Sequence, residues 1–191
     1  MSQAKEILDF WFDSPEALDY GKPKAFWFAK KSEFDEELRS RFIKDYQRAA
    51  AGYLDEWKEF PDSCLALILL LDQFPRNMFR GTPEAFATDW EALSAAQHAI
   101  AKGYDQKLLP VQRWFIYLPF EHSENLDHQR KAVQFFQQLG EHPDSASAIK
   151  YAIRHMEVIE RFGRFPHRNV ILGRASTPEE KEFLKKSGSY F

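Results

Sequence analysis

Side chains that favour strands are scarce in this chain: 191 residues include only 4 Val, 9 Ile and 3 Thr, against 18 Phe, 7 Tyr and 5 Trp. Pleated surfaces are normally built from β-branched residues, so the shortage argues against a β-rich fold and for an all-α protein with an aromatic core. Cysteine is nearly absent. A lone Cys64 allows no disulfide framework within one chain, which suits a reducing cytoplasm, the expected location. Long apolar runs are missing as well: the longest aliphatic stretch, Leu65 to Leu71, falls far short of the ~20 residues of a membrane span. Met1 to Phe12 holds no basic segment followed by an apolar run, so no membrane partner is expected. Charge of one sign is also lacking: a net charge of −3 is too small and of the wrong sign for nucleic-acid binding by bulk electrostatics. No Gly/Ser linker divides the chain, and residues 1–191 are read as a single compact domain of antiparallel helices.

What is present is helix punctuation. Ser14-Pro15-Glu16, Thr82-Pro83-Glu84 and Thr177-Pro178-Glu179-Glu180 each combine an N-cap hydroxyl, a proline suited to the first turn and an acid facing the positive helix end. After the second, Phe86, Trp90, Leu93, Gln97 and Ile100 form a stripe that ends at Gly103; Tyr151, His155, Val158, Ile159 and Phe162 form another that ends at Gly163. Further helices are expected over about 3–12, 33–51, 62–72, 111–118, 125–139 and 146–162, with Ser123 offered as an N-cap.

Two segments echo others. Phe10-Trp11-Phe12 recurs as Phe26-Trp27-Phe28, and Phe74-Pro75-Arg76-Asn77 recurs with one insertion as Phe165-Pro166-His167-Arg168-Asn169. In the second echo the proline is read as stopping the preceding helix in both places, which fits either an old duplication or convergent use of one stop signal. Neither echo has the period of a regular solenoid.

These motifs, with Asp72-Gln73 ahead of the first Phe-Pro, Arg80-Gly81, Ala85-Phe86-Ala87 and Asp89, Pro119-Phe120 with His122-Ser123-Glu124, Arg161-Phe162-Gly163-Arg164, and Leu172-Gly173-Arg174, resemble the bacterial domain-of-unknown-function family 924 along essentially the whole chain. The resemblance implies a tetratricopeptide-like, all-α fold, and it implies no assigned reaction.

Chemistry must therefore be argued from the residues. Residues 150–174 hold six basic side chains and two acids, so positive charge is concentrated there while the rest of the chain is acidic. Arg161, Arg164 and Arg168 of this stretch, with Arg76 and Arg80, could line a cleft for a carboxylate or phosphate, since guanidinium forks grip such groups in bidentate fashion. The polar Asn77, Glu124 and Asn169 stand in the same motifs. Asp72 closes an apolar run near an expected helix C-terminus, where the dipole disfavours an anion, and Asp89 edges a buried stripe; pairing of either with Arg76 or Arg80 is expected, whether structural or catalytic. His122, His155 and His167 are candidates for acid–base work near neutral pH, although an imidazole on an apolar stripe, as at His155, also suits a satisfied core position.

No metal site is expected, because no pair of His stands at i, i+4 and no metalloprotease signature occurs. No Gly-rich phosphate loop or nucleophile elbow is present, and no cofactor is expected. Two functional readings follow: a binder of a small anionic ligand in an Arg/His-lined pocket, with or without acid–base catalysis, or a tetratricopeptide-like module for a protein or peptide partner. In a third, the motifs serve only the fold. Tyr190-Phe191 offers apolar surface for self-association.

Overall fold

The computed structural model describes residues 3–140, 145–186 and 188–189, and in these the regular structure is helical, with no strand. Helix α1 spans Gln3–Phe12, α2 Ser32–Ala50, α3 Pro61–Ile68, α4 Phe74–Met78, α5 Asp89–Ala101, α6 Pro110–Glu121, α7 Leu126–Gln137, α8 Ser145–Phe162 and α9 Pro178–Leu184. Helices α6, α7 and α8 pack in succession, and the short link from Glu121 to Leu126 makes the first two an antiparallel pair. The C-terminal Tyr190-Phe191 lies outside the described residues.

The core is aromatic, as composition suggested. Trp11 is fully buried and meets the rings of Phe26, Trp27, Phe34, Phe74 and Phe115 at centroid distances of 5.5 to 6.3 Å. Such edge and offset contacts add stability beyond area burial alone. The two echoing Phe-Trp-Phe segments touch: the Trp11 and Trp27 rings stack, and the Trp27 indole N–H donates to the Trp11 carbonyl at 2.8 Å.

Helix starts follow local chemistry at one of the three expected sites. At Thr177 the hydroxyl accepts from the Glu180 N–H and the Glu180 carboxylate accepts from the Thr177 N–H, a complete capping box. Ser14 starts no helix: Asp13 turns the chain with φ 66°, and Gly21 and Pro23 leave too short a run to nucleate one. Thr82 opens only a 3₁₀ turn, Pro83–Phe86, and α5 begins at Asp89. The expected stripe on α5 is therefore displaced. Trp90 is exposed, and the inward face is Ala92, Leu93, Ala95, Ala96 and Ala99, whose small side chains let α5 approach its neighbours closely. Likewise Tyr151 stands outside the buried face of α8, which is carried by Ala152, His155, Val158 and Ile159. The N-cap of α7 is Asn125, whose side chain accepts from the Asp127 and His128 N–H groups; Ser123 instead meets His128 Nδ1 at 2.9 Å.

Proline at position 75 does not stop its helix. Between α3 and α4 the chain passes through a π-helical turn, Leu69–Gln73, in which the Phe74 N–H reaches back to the Leu69 carbonyl. Proline has no N–H to give the carbonyl four residues back, that of Leu71, and the Thr88 hydroxyl donates to it instead at 2.6 Å. In the second echo the chain does leave the helix, but Gly163, at φ 68°, terminates α8 before Phe165-Pro166 opens a 3₁₀ turn, Pro166–Arg168. The two Phe-Pro segments are thus placed differently.

Candidate functional site

Widened turns of the π type re-aim side chains, and this one directs Asp72 inward. Its carboxylate is fully buried, yet well provided with donors: His122 Nδ1 lies 2.8 Å from Oδ1, Arg76 Nη1 3.2 Å from the same oxygen, and the Gln73 amide donates to Oδ2 at 2.7 Å. Burial opposes ionisation of Asp72, but the Arg76 charge and the His122 contact outweigh it and hold the carboxyl at about 2.

Arg76 and Arg168 come together across Asp89. Arg76 Nη1 is 2.8 Å from Asp89 Oδ1, and Arg168 Nη1 is 3.1 Å from Asp89 Oδ2, so one carboxylate bridges two guanidinium groups. Arg76 also donates to the Asp72 carbonyl at 2.6 Å, and Arg168 to the His122 carbonyl at 3.1 Å. The Arg168 guanidinium lies between the Phe86 and Phe165 rings, 4.5 and 4.7 Å from their centroids. Such a stacked position suits Arg over Lys. Burial lowers its pKa to about 10, with the Asp89 charge opposing the shift. Arg76 Nη2 and Arg168 Nε, both buried, have no hydrogen-bond partner among the described residues.

The histidines lie beside this network. The His122 and His155 rings are 6.5 Å apart, and the Phe165 ring stands between His155 and His167 at 5.5 and 5.7 Å. His155 Nδ1 is 2.8 Å from the Tyr151 carbonyl and 3.0 Å from Glu121 Oε1. All three imidazoles are held neutral. Burial lowers His122, aided by Arg76; burial takes His155 well below its ordinary value; and burial, then the Arg168 charge, takes His167 to about 3. Glu121 moves the other way: burial, reinforced by Asp72, raises it to about 8, so it is a neutral acid at neutral pH.

The other expected site residues lie in separate networks. Arg80 forms a fork with Asp35, 2.5 and 3.0 Å, and donates to Asn77 Oδ1. Glu124 accepts from Arg174 at 2.6 and 2.9 Å and from the Phe165 N–H at 2.7 Å. Arg164 and Asn169 converge on the buried Glu180, and Arg161 pairs with Glu179 on the surface. Sequence reasoning missed Glu121, Phe86, Thr88 and Glu180 as members of these networks. One signal was available for Thr88: any helix that runs through Pro75 leaves the Leu71 carbonyl in need of an outside donor.

Two clefts, of about 560 and 410 Å³, lie away from this cluster, one beside Trp27 and Trp114 and one between α1 and Phe60. The cluster is largely enclosed: the side chains of Asp89, Arg76, His122 and Arg168 are 24%, 17%, 13% and 8% exposed. Among the described residues, no group of three or more His, Cys, Asp or Glu is arranged to hold a metal ion, and no helix is long and apolar enough to cross a membrane.

Comparison with known proteins agrees with this architecture. No curated protein matches the chain. A solved structure of a protein of unknown function, ATU0120 from Agrobacterium tumefaciens, is 43% identical over 95% of this chain and 96% of that one, with a TM-score of 0.85. The model of a bacterial protein family of unknown function, DUF924, matches residues 7–188, and the chain belongs to that family.

Proposed function

We propose that Asp72, Arg76, Asp89, His122 and Arg168 form a centre that binds a small carboxylate or phosphate and moves a proton on it, with His122 as the base. The observation that carries this reading is the Asp72–His122 contact of 2.8 Å. An ionised Asp72 makes Nδ1 the protonated ring nitrogen and leaves Nε2 with a lone pair, the state a general base needs. Arg76 Nη2 and Arg168 Nε, buried and without a partner among the described residues, are further donors for an anion that enters the cluster. The protein would work in the cytoplasm, and its buried, unpaired-by-disulfide Cys64 is compatible with that.

One observation favours the purely structural reading: Asp89 already occupies the place between the two guanidinium groups that a ligand carboxylate would take. A thermal-shift series with phosphate and small mono- and dicarboxylates separates the two. Binding to the folded state raises Tm by mass action. The proposal expects a concentration-dependent rise in the wild type that is lost in Arg168→Lys and kept in Lys102→Gln, a change at the C-cap of α5, the end opposite Asp89. No rise with any of these anions at millimolar concentration would overturn it and leave the cluster as a structural lattice. The alternative of a peptide-binding helical module rests on the fold alone.

A further inference from the structure

Glu121 is the last residue of α6, and unlike the buried Asp72 and Glu180 it faces no arginine. Its side chain is 4% exposed, and among the described residues no Lys or Arg pairs with it; the ionisable group against it is His155 of α8, whose Nδ1 lies 3.0 Å from Oε1. The same Nδ1 is 2.8 Å from the Tyr151 carbonyl, which can only accept, so this nitrogen already carries its proton and cannot take one from Glu121. A charged His155 is opposed by its burial and by His122, Arg168 and His167, which bear on it from the end of α6 and from the turn after α8. From the π-helical turn the ionised Asp72 acts on Glu121, and from α7 the Gln129 amide donates to the Glu121 backbone carbonyl.

A carboxylate at position 121 would thus lack a counter-ion, share its surroundings with a second anion and stand at the negative end of a helix, and each of these opposes ionisation. The closed fold accommodates Glu121 as a neutral acid, in keeping with its rise to about 8. What ionisation would disturb is set by the chain. The next residue, His122, is the C-cap of α6 and holds Asp72 at 2.8 Å, and none of residues 122–125, which lead to α7, is buried. Helix ends open locally at lower cost than helix bodies.

We infer that Glu121 is a proton-operated latch between α6 and α8: protonated, it keeps the end of α6 closed over the Asp72–His122 contact, and on losing its proton in mildly alkaline solution it releases that end, so that His122 meets water. The latch governs access to the centre, so it stands or falls separately from the anion binding and proton transfer proposed there.

The test is labelling of the full-length protein with diethylpyrocarbonate, which modifies accessible neutral imidazoles, read residue by residue by mass spectrometry at pH 6.5 and pH 9 in wild type and Glu121→Gln. Glutamine keeps the neutral shape and has no proton to lose. Labelling of His122 in the wild type, divided by that in the variant at the same pH, should rise on the order of tenfold between the two conditions, because the open form ionises at lower pH than the closed form and is favoured accordingly. The same ratio at His98, near the C-terminal end of α5, should stay constant. A constant ratio at His122, or an equal rise at His98, would overturn the inference. If Glu121→Gln does not fold, labelling of His122 relative to His98 within the wild type decides the matter: a rise of the same order supports the latch, and no rise overturns it.

Discussion

The Thr88 hydroxyl donates to the Leu71 carbonyl at 2.6 Å, and this bond connects the start of α5 to the π-helical turn that presents Asp72. Through it the residue next to Asp89 satisfies the backbone group that Pro75 leaves unpaired, so one contact supports both acids of the cluster.

Replacing Thr88 by Val keeps the side-chain volume and removes the donor. The buried Leu71 carbonyl would then lack a partner, at a cost of about 1–3 kcal/mol. Thr88→Ser should retain most of the stability. Urea unfolding of the three proteins checks this, and equal midpoints for Val and wild type would show that another group can take over the carbonyl.

Asp89→Ala leaves two buried guanidinium groups facing each other without their shared carboxylate. A loss of about 3–5 kcal/mol is expected, as for other broken buried pairs. Formate or acetate fits the vacated position, so either should restore part of the lost Tm, and by more than it raises the wild type. A rise equal to that of the wild type would mean that the site does not re-form around an external anion.

Glu121 is raised from its ordinary value of 4.5 to about 8, so the folded state holds a proton that the unfolded chain releases at lower pH. Stability from this group is therefore fully present below pH 4.5 and declines as pH rises towards 8. Glu121→Gln retains a neutral side chain of similar shape and should lose that decline. Chemical denaturation across this interval should show the variant gaining on the wild type as pH rises, and parallel curves would contradict the assignment.

His167 behaves oppositely. Its pKa falls from 6.5 to about 3, so the folded state binds fewer protons than the unfolded chain, and stability is lost as pH falls through that window. His167→Gln should be less sensitive to acid than the wild type between pH 6.5 and 3. Thermal melts over that range decide the matter.

Local signals were legible without coordinates. The capping box at Thr177 was readable because it lies within four consecutive residues, and the span of α7 was readable because its apolar residues recur at helical spacing. The Thr82 and Ser14 signals were equally clear and were overridden, one by a 3₁₀ turn and one by Gly21 and Pro23 close downstream. At the site, Asp72, Arg76, Asp89, His122 and Arg168 could be nominated as residues in unusual places, but not paired. Glu121 could not be separated from other acids at helix ends, since only its surroundings make it neutral.

By itself the sequence determines a helical chain with an aromatic core, because helix class and core chemistry follow from composition and from spacing over a few turns. Tertiary structure alone decides which charges meet. Arg168 and Asp89 are 79 positions apart and His122 and Asp72 are 50 apart, so their contacts depend on how α5, α6 and the end of α8 pack against the π-helical turn. Packing also decides protonation, since the same carboxyl group is an ion at Asp72, where donors surround it, and a neutral acid at Glu121, where burial and a neighbouring anion prevail.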